Sequence, residues 1–153
     1  MFTDTDVITV LIADDHYMTR EGIRSILGRA HDIEIIGEAE EGEEIKQKVA
    51  ELRPHILLLD LHMPNLTPAQ LEKWVRTNYP ETITLVLTGH DRKAYRSGML
   101  LTEMMDAGVS GYLEKSIRSE QLIASIRRAA RGESLFDQEQ IERARRWREE
   151  VAW

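Results

Sequence analysis

Five polar residues of this sequence stand at or just after short apolar runs, and their types could support phosphoryl chemistry. They are Asp14, Asp15, Asp60, Thr88 and Lys115. A carboxylate can attack phosphorus as a nucleophile and form an aspartyl phosphate. Carboxylates that crowd together repel one another, so at least one takes up a proton unless a cation is present. The three aspartates therefore predict a nucleophilic carboxylate beside a bound cation, provided that the fold brings them together.

Mg²⁺ is the cation that fits these aspartates best, because it is hard, prefers oxygen ligands and often binds one or two carboxylates plus water. We expect Asp60 to lie nearest to the metal, with Asp15 and Asp14 as further ligands, directly or through water. The backbone carbonyl of His62, in the turn after Asp60, is expected to fill another position. The histidines of the sequence do not support a zinc site.

Thr88 and Lys115 supply what phosphoryl transfer needs besides a nucleophile, namely positioning and neutralisation of charge. Lys115 offers a compact positive charge that binds phosphate well. The Thr88 hydroxyl can donate a hydrogen bond to another phosphoryl oxygen. Taken singly, each residue also has a structural interpretation, since an aspartate after a strand is often a helix N-cap and a lone lysine is most often solvated. It is the joint arrangement that favours a functional site.

These residues can meet only if the apolar runs before them lie side by side. Short apolar runs predict five strands, at residues 7–13, 33–37, 56–59, 82–87 and 109–113. Segments with helical spacing of apolar residues predict five helices, at residues 16–30, 42–52, 68–79, 91–107 and 119–131. This alternation predicts a doubly wound parallel α/β sheet with right-handed crossovers and helices on both faces. Such a sheet binds ligands beyond the carboxyl ends of its strands, where the five polar residues fall.

Length and composition limit the classes of protein that fit. The chain has 153 residues, a size typical of one compact domain. The absence of cysteine excludes disulfides and thiolate metal sites and fits a reducing cytoplasm, where we expect the protein to act. No secretory signal is expected, and no apolar run approaches the roughly 18 residues of a membrane span. The net charge of −7 argues against a nucleic-acid surface on the body of the domain.

Four motifs, in this order along the chain, resemble the receiver domains of bacterial two-component response regulators. They are Ala13-Asp14-Asp15-His16, Leu59-Asp60-Leu61-His62-Met63-Pro64, Leu87-Thr88-Gly89 and Gly111-Tyr112-Leu113-Glu114-Lys115-Ser116. The resemblance covers roughly residues 7–131. The last motif is similar to that of the LuxR-type subfamily, whose members usually carry a C-terminal helix-turn-helix. The resemblance implies a flavodoxin-like (βα)5 fold with strand order 2-1-3-4-5.

The resemblance also implies a role for each site residue. Asp60 matches the phosphoacceptor, while Asp14 and Asp15 match the acidic pair that organises Mg²⁺. Thr88 matches the switch hydroxyl, and Lys115 matches the phosphate-binding lysine.

A switch and its partners follow from the same resemblance. Tyr112 matches the aromatic residue that changes rotamer as Thr88 moves towards the phosphate. The donor would be a phosphohistidine on a sensor histidine kinase, and the output would be control of transcription, with homodimer formation on phosphorylation. Such a protein modifies itself and turns over no separate substrate, so it is a signalling switch rather than an enzyme.

Residues 133–153 lie beyond the five βα units, so we divide the chain into a receiver domain over residues 1–132 and a C-terminal linker helix over residues 133–153. An apolar stripe with helical spacing predicts that helix. Its members are Ile141, Ala144, Trp147 and Val151. Glutamates mix with the arginines around the stripe, which favours a solvated linker or dimer contact over DNA binding. The resemblance implies that this tail leads into an output domain, and DNA would be contacted only through that domain.

Two features depart from the family pattern. The span between Thr88 and Lys115 is a few residues longer than usual, and the fourth helix within it is unusually apolar. Its apolar residues are Met99, Leu100, Leu101, Met104 and Met105. Either this helix packs on its own sheet or it forms a methionine-rich docking or dimer face. Ser116 stands where many receivers have proline, so we expect a trans peptide bond before it.

Two other functions stay open on the sequence. A pseudo-receiver would act only as a protein-interaction module, although the complete set of site residues argues against it. An aspartyl-nucleophile phosphatase of the haloacid-dehalogenase type would place a second aspartate two residues after the nucleophile as general acid, and His62 occupies that position. The sequence has no Gly-x-x-x-x-Gly-Lys loop, which argues against a nucleotide-binding protein.

Overall fold

The computed structural model describes residues 6–89 and 94–151, in which five strands alternate with helices. The strands are β1 (Ile8–Ala13), β2 (Ile33–Ala39), β3 (Ile56–Leu59), β4 (Ile83–Thr88) and β5 (Gly111–Glu114). The helices are α1 (Tyr17–Leu27), α2 (Gly42–Leu52), α3 (Pro68–Asn78), α4 (Ala94–Ala107), α5 (Ser119–Ala130) and α6 (Gln138–Val151). The predicted start of the fourth helix at residue 91 lies outside the described residues.

The strands form one parallel sheet with the order β2-β1-β3-β4-β5. This order confirms the predicted doubly wound α/β fold. Ala13 of β1 is in register with Leu59 of β3, and Leu59 is in register with Val86 of β4. The residues that follow β1 and β3 therefore emerge side by side, next to the end of β4.

Helices cover both faces of the sheet because its central strands are apolar on both sides. β3 has the sequence Ile-Leu-Leu-Leu, and all of its residues are buried, as expected in the middle of a parallel sheet. Ile56 and Leu58 face a core shared with α1 and α5. Leu57 and Leu59 face a second core shared with α2, α3 and α4. The strand ends are thus held between two buried cores, one on each face of the sheet.

Local signals set several helix ends. Pro68 opens α3 after Thr67, where the fixed φ and missing N–H of proline are tolerated. Gly108 follows α4 with a φ of +112°, a conformation that favours glycine. α1 ends at Leu27, earlier than predicted, and the backbone turns so that Ala30 N donates to the carbonyl of Leu27.

α6 confirms the predicted C-terminal helix, but its apolar stripe is only partly covered. Ala144 is fully buried and Trp147 is half-buried, and the helix contacts α4. Ile141 and Val151 are 44% and 53% exposed. The spacing of apolar residues shows which of them share a face of the helix, but it does not show how much of that face a neighbouring element covers. Each helix in the described part of the chain is too short or too polar to cross a bilayer.

Candidate functional site

The predicted site residues reach the carboxyl edge of the sheet because each follows or ends a strand. Asp14 follows β1, Asp60 follows β3, Thr88 ends β4 and Lys115 follows β5. Hydrogen bonds extend the sheet to this edge. Asp60 N donates to the carbonyl of Ala13 (2.9 Å), and Lys115 N donates to that of Thr88 (2.8 Å). The side chains of Asp14, Asp60 and Thr88 are buried, so charges at this edge are only weakly screened by water.

Lys115 joins the two buried aspartates. Its Nζ lies 2.8 Å from Oδ2 of Asp14 and 3.7 Å from Oδ2 of Asp60. The Lys115 side chain is 25% exposed, whereas both aspartate side chains are 3% exposed. The peptide bond from Lys115 to Ser116 is trans, as expected. The lysine therefore neutralises, in this structure, two of the carboxylates that we expect to organise the metal.

Asp14, Asp15 and Asp60 converge with His16 in one small region. Each of these side chains offers a possible ligand atom, and these atoms lie within 4.8 Å of one another. His16 donates its backbone N–H to Oδ1 of Asp14 (2.8 Å), and its Nδ1 lies 3.1 Å from the same oxygen. His16 occupies the N-cap position of α1. The sheet and the start of α1 thus bring the three predicted acidic residues together.

The Asp60 carboxylate has fewer hydrogen bonds than its burial would lead us to expect. Its Oδ2 has no hydrogen-bond donor among the described residues, and its Oδ1 accepts one long bond (3.4 Å) from the backbone N–H of His62. Burial raises the pKa of Asp60, the Lys115 ammonium group opposes this shift, and the Asp14 carboxylate adds to it. A buried carboxylate oxygen without a donor, beside other carboxylates, fits a cation with oxygen ligands such as Mg²⁺.

Arg20 is a residue of the site that we did not predict. Its guanidinium group is buried and donates from Nη1 to the backbone carbonyl of Asp14 (2.8 Å). The same group donates from Nε to Glu38 (2.9 Å) and from Nη2 to Glu40 (2.8 Å). Arg20 thereby ties the acidic pair at the end of β1 to the end of β2. The sequence did carry a signal for this burial, because Arg20 lies at helical spacing from Ile23 and Leu27 on the buried face of α1.

The loop that carries His62 is fastened to the start of α2. Gly42 N donates to the carbonyl of Pro64 (3.1 Å), and Asn65 Nδ2 donates to Oε2 of Glu41 (3.0 Å). A Cβ atom on Gly42 would lie 2.0 Å from the carbonyl oxygen of Asn65, so this approach requires glycine. The His62 side chain is exposed, and the role of its backbone carbonyl as a metal ligand stays a prediction.

The two predicted switch residues lie on neighbouring strands. Thr88 is buried at the end of β4, and Tyr112 in β5 is half-buried against the core shared with α2, α3 and α4. The carbonyl of Tyr112 accepts a hydrogen bond from Nε2 of Gln140 in α6 (2.9 Å). The strand that carries Tyr112 is therefore bonded directly to the C-terminal helix, a contact that the sequence did not predict.

Comparisons with known proteins agree with this geometry. Residues 10–127 match the family model of the response regulator receiver domain. The chain is 34% identical over 140 residues to the response regulator protein VraR of Staphylococcus aureus. That alignment covers 90% of this chain and 64% of VraR, so the chain spans less than two thirds of that relative's length.

Solved structures of similar proteins share the fold. The receiver domain of the response regulator NarL from Mycobacterium tuberculosis matches with a TM-score of 0.74 and 26% identity, covering 83% of this chain and 98% of that one. A LuxR-family response regulator from Aurantimonas sp. matches with a TM-score of 0.79 and 22% identity, covering 94% and 99%. Because the family match spans most of the sequence and includes the strand-end residues, this chain belongs to the response regulator receiver domain family, whose members act as signalling switches.

Proposed function

We propose that this chain accepts a phosphoryl group on Asp60 from a phosphohistidine of a sensor histidine kinase, with Mg²⁺ as the required ion. The observation that carries the proposal is the buried Asp60 carboxylate. Its Oδ2 has no hydrogen-bond donor in residues 6–89 and 94–151, and it lies 3.7 Å from Lys115 Nζ. Asp14 and Asp15 stand beside it. Positive charge that keeps such a carboxylate ionised also neutralises an incoming phosphoryl group.

In the proposed reaction, a carboxylate oxygen of Asp60 bonds to phosphorus while the bond from phosphorus to the donor's histidine nitrogen breaks. The electron pair of that bond stays with the imidazole, which takes up a proton from water. Lys115 moves its ammonium group from the carboxylates to the phosphoryl oxygens. Asp14, Asp15, Asp60 and the carbonyl of His62 would hold Mg²⁺, which when bound supplies further positive charge to those oxygens.

Phosphorylation would act next on the switch residues. The Thr88 hydroxyl donates a hydrogen bond to a phosphoryl oxygen, and Tyr112 changes rotamer into the space that Thr88 leaves. The proposed output is control of transcription in the cytoplasm, through a DNA-binding domain outside these residues and with homodimer formation on phosphorylation. The LuxR-type motif at Gly111–Lys115 and the LuxR-family neighbour support this output.

A pseudo-receiver is the second candidate, because Lys115 already neutralises the aspartates and a protein-interaction module could use the same fold without phosphorylation. An aspartyl-nucleophile phosphatase is less well supported. Its general acid would stand where this chain has His62, whose side chain is exposed.

Intact mass spectrometry after incubation with Mg²⁺ and acetyl phosphate tests the proposal. We expect the parent chain to gain the mass of one phosphoryl group and to lose it with time. The Asp60→Asn variant should gain nothing, because an amide cannot form the acyl phosphate. Asp32→Asn is the matched control, since Asp32 lies before β2 in an ion pair with Arg127 and should leave labelling intact. If the chain binds Mg²⁺ but gains no phosphoryl group from acetyl phosphate or from a phosphohistidine donor, the pseudo-receiver is favoured.

A further inference from the structure

α6 rests on both elements that lie between Thr88 and Lys115. Against α4, Trp147 lies next to Gly98, where an added Cβ would be 3.8 Å from Cε3 of the indole. Arg148 also forms an ion pair with Asp106 near the end of α4. These contacts place α6 along the apolar helix whose covering the sequence left open.

β5 provides the second support. Nε2 of Gln140 donates to the carbonyl of Tyr112 (2.9 Å). Just before α6, Leu135 N donates to the carbonyl of Ser110 (2.7 Å), and a Cβ atom on Gly111 would lie 3.0 Å from Cβ of Leu135. The tail is thus bonded to the backbone of the strand that carries Tyr112.

Burial shows that this contact has an apolar centre. Leu101 and Ala144 are both fully buried, yet neither belongs to the two cores that cover the sheet. Met104, by contrast, packs into the core shared with α2 and α3. One part of the α4 surface therefore faces the sheet, and another is covered by α6. α4 thus packs on its own sheet, the first of the two alternatives, and its remaining covered surface contacts a segment of the same chain. A dimer face on this helix stays a prediction.

We propose that the surface formed by α4 and β5 is an intramolecular docking site for α6, and that phosphorylation of Asp60 weakens the docking. The inference rests on the proposed function. In the docked arrangement Lys115 is paired with Asp14 and its backbone N–H is bonded to Thr88. A phosphoryl group would draw the Lys115 ammonium and the Thr88 hydroxyl towards itself.

Movement of these two residues would shift the segment between them, and α4 and β5 are parts of that segment. α6 can keep its bond to Tyr112 and its contact with Gly98 only while those two positions hold their relative placement. Coupling of this kind is reciprocal, so release of α6 must strengthen binding at the phosphorylation site by the same factor.

Beryllofluoride with Mg²⁺, applied to the full chain, is the probe for this coupling. Its affinity is measured by titration, and the opening of α6 is measured by amide hydrogen exchange over residues 138–151. We expect bound beryllofluoride to speed exchange in α6 by about fivefold or more, and Trp147→Ala and Gln140→Ala to tighten beryllofluoride binding by a similar factor. Arg145→Ala is the matched control within α6, because Arg145 pairs only with Glu142 and Glu149 of the same helix in the described structure.

Charge reversal guards against variants that merely disturb folding. Asp106 and Arg148 are both about half exposed, so Asp106→Arg and Arg148→Asp should each fold and tighten binding, and the double variant should restore the parent affinity. If beryllofluoride binds the parent while α6 exchange and all variant affinities stay unchanged, the docking proposal is wrong and the proposed function stands. If beryllofluoride does not bind, and Asp60 cannot be phosphorylated, both proposals fall together.

Discussion

The ammonium group of Lys115 lies 2.8 Å from Oδ2 of Asp14, so a residue expected to bind phosphate is held by a residue expected to organise the metal. The two interactions exclude one another, because a cation bound to Asp14 would repel Lys115. Occupation of the site by Mg²⁺ would therefore release Lys115 at the moment when a phosphoryl group needs it.

Substitution of Lys115 by alanine tests this competition. We expect Mg²⁺ affinity to rise by roughly two- to tenfold, since a partly exposed ion pair contributes on the order of 1 kcal/mol and the metal no longer displaces it. Phosphoryl incorporation should fall. Isothermal titration with Mg²⁺ measures the first effect, and Lys115→Arg is the control that keeps the charge. A tenfold loss of Mg²⁺ affinity would show that Lys115 supports metal binding instead.

Asp60→Asn should stabilise the metal-free protein at neutral pH. Burial raises the pKa of Asp60 in the folded state, so the folded protein binds this proton more tightly than the unfolded chain does. The resulting stabilisation is fully present below the pKa of Asp60 in the unfolded chain, and it is lost as pH rises through the folded pKa. Asparagine removes that loss, and we expect a gain on the order of 1 kcal/mol in urea unfolding at pH 7. The gain should vanish near pH 3 and shrink in saturating Mg²⁺. An equal gain at both pH values would point to a cause other than ionisation.

Arg20→Ala should weaken Mg²⁺ binding by about tenfold. This is the usual effect of losing a group that orients the metal ligands without contacting the metal itself. Arg24→Ala is a close control, because Arg24 also bonds to Glu38 (2.6 Å) without a bond to Asp14 in the described structure. We expect it to leave Mg²⁺ affinity within about twofold of the parent, on the scale of an exposed ion pair. Arg20→Lys should lie between the two, since lysine can reach one carbonyl but cannot bond three acceptors in fixed directions. Equal affinities for all three variants would confine Arg20 to a structural role.

Two glycines, one inside α4 and one directly after it, should respond to alanine in opposite directions. Gly98→Ala should raise the free energy of unfolding by about 0.5–1 kcal/mol, because an added Cβ meets Trp147 at an ordinary distance and stiffens the helix. Gly108→Ala should lower it by about 1–3 kcal/mol, because Gly108 has a φ of +112° and an added Cβ would crowd Arg76 at 3.2 Å. Urea unfolding at one pH compares both variants with the parent.

The sheet and the edge that carries the site could be predicted from the sequence. The run Ile56–Leu59 is apolar without interruption, which indicates a strand covered on both faces, and the aspartate after it falls at the carboxyl end. Alternation of strands and helices then placed Asp14, Asp60 and Lys115 together. Predicted helix ends were accurate where glycine or proline marked them, as at Gly108.

Partners of single side chains could not be predicted in the same way. Apolar spacing identifies the buried face of a helix but does not say which charged residue on that face is satisfied by distant acceptors, as Arg20 is by Glu38 and Glu40. For the same reason the apolar stripe of residues 133–153 predicted a helix but did not predict that this helix packs on α4. Ile141 and Val151 belong to the predicted stripe, and the spacing could not show that they are exposed while Ala144 is buried.

The attachment of α6 at two places determines what kind of movement it can report. Gln140 is bonded to a strand, and Trp147 lies against a helix. A movement that carries β5 and α4 in the same direction leaves both contacts of α6 intact. A change in the distance between β5 and α4 strains one contact or the other. The docking of α6 therefore depends on the distance between β5 and α4, and movement of the whole domain does not affect it.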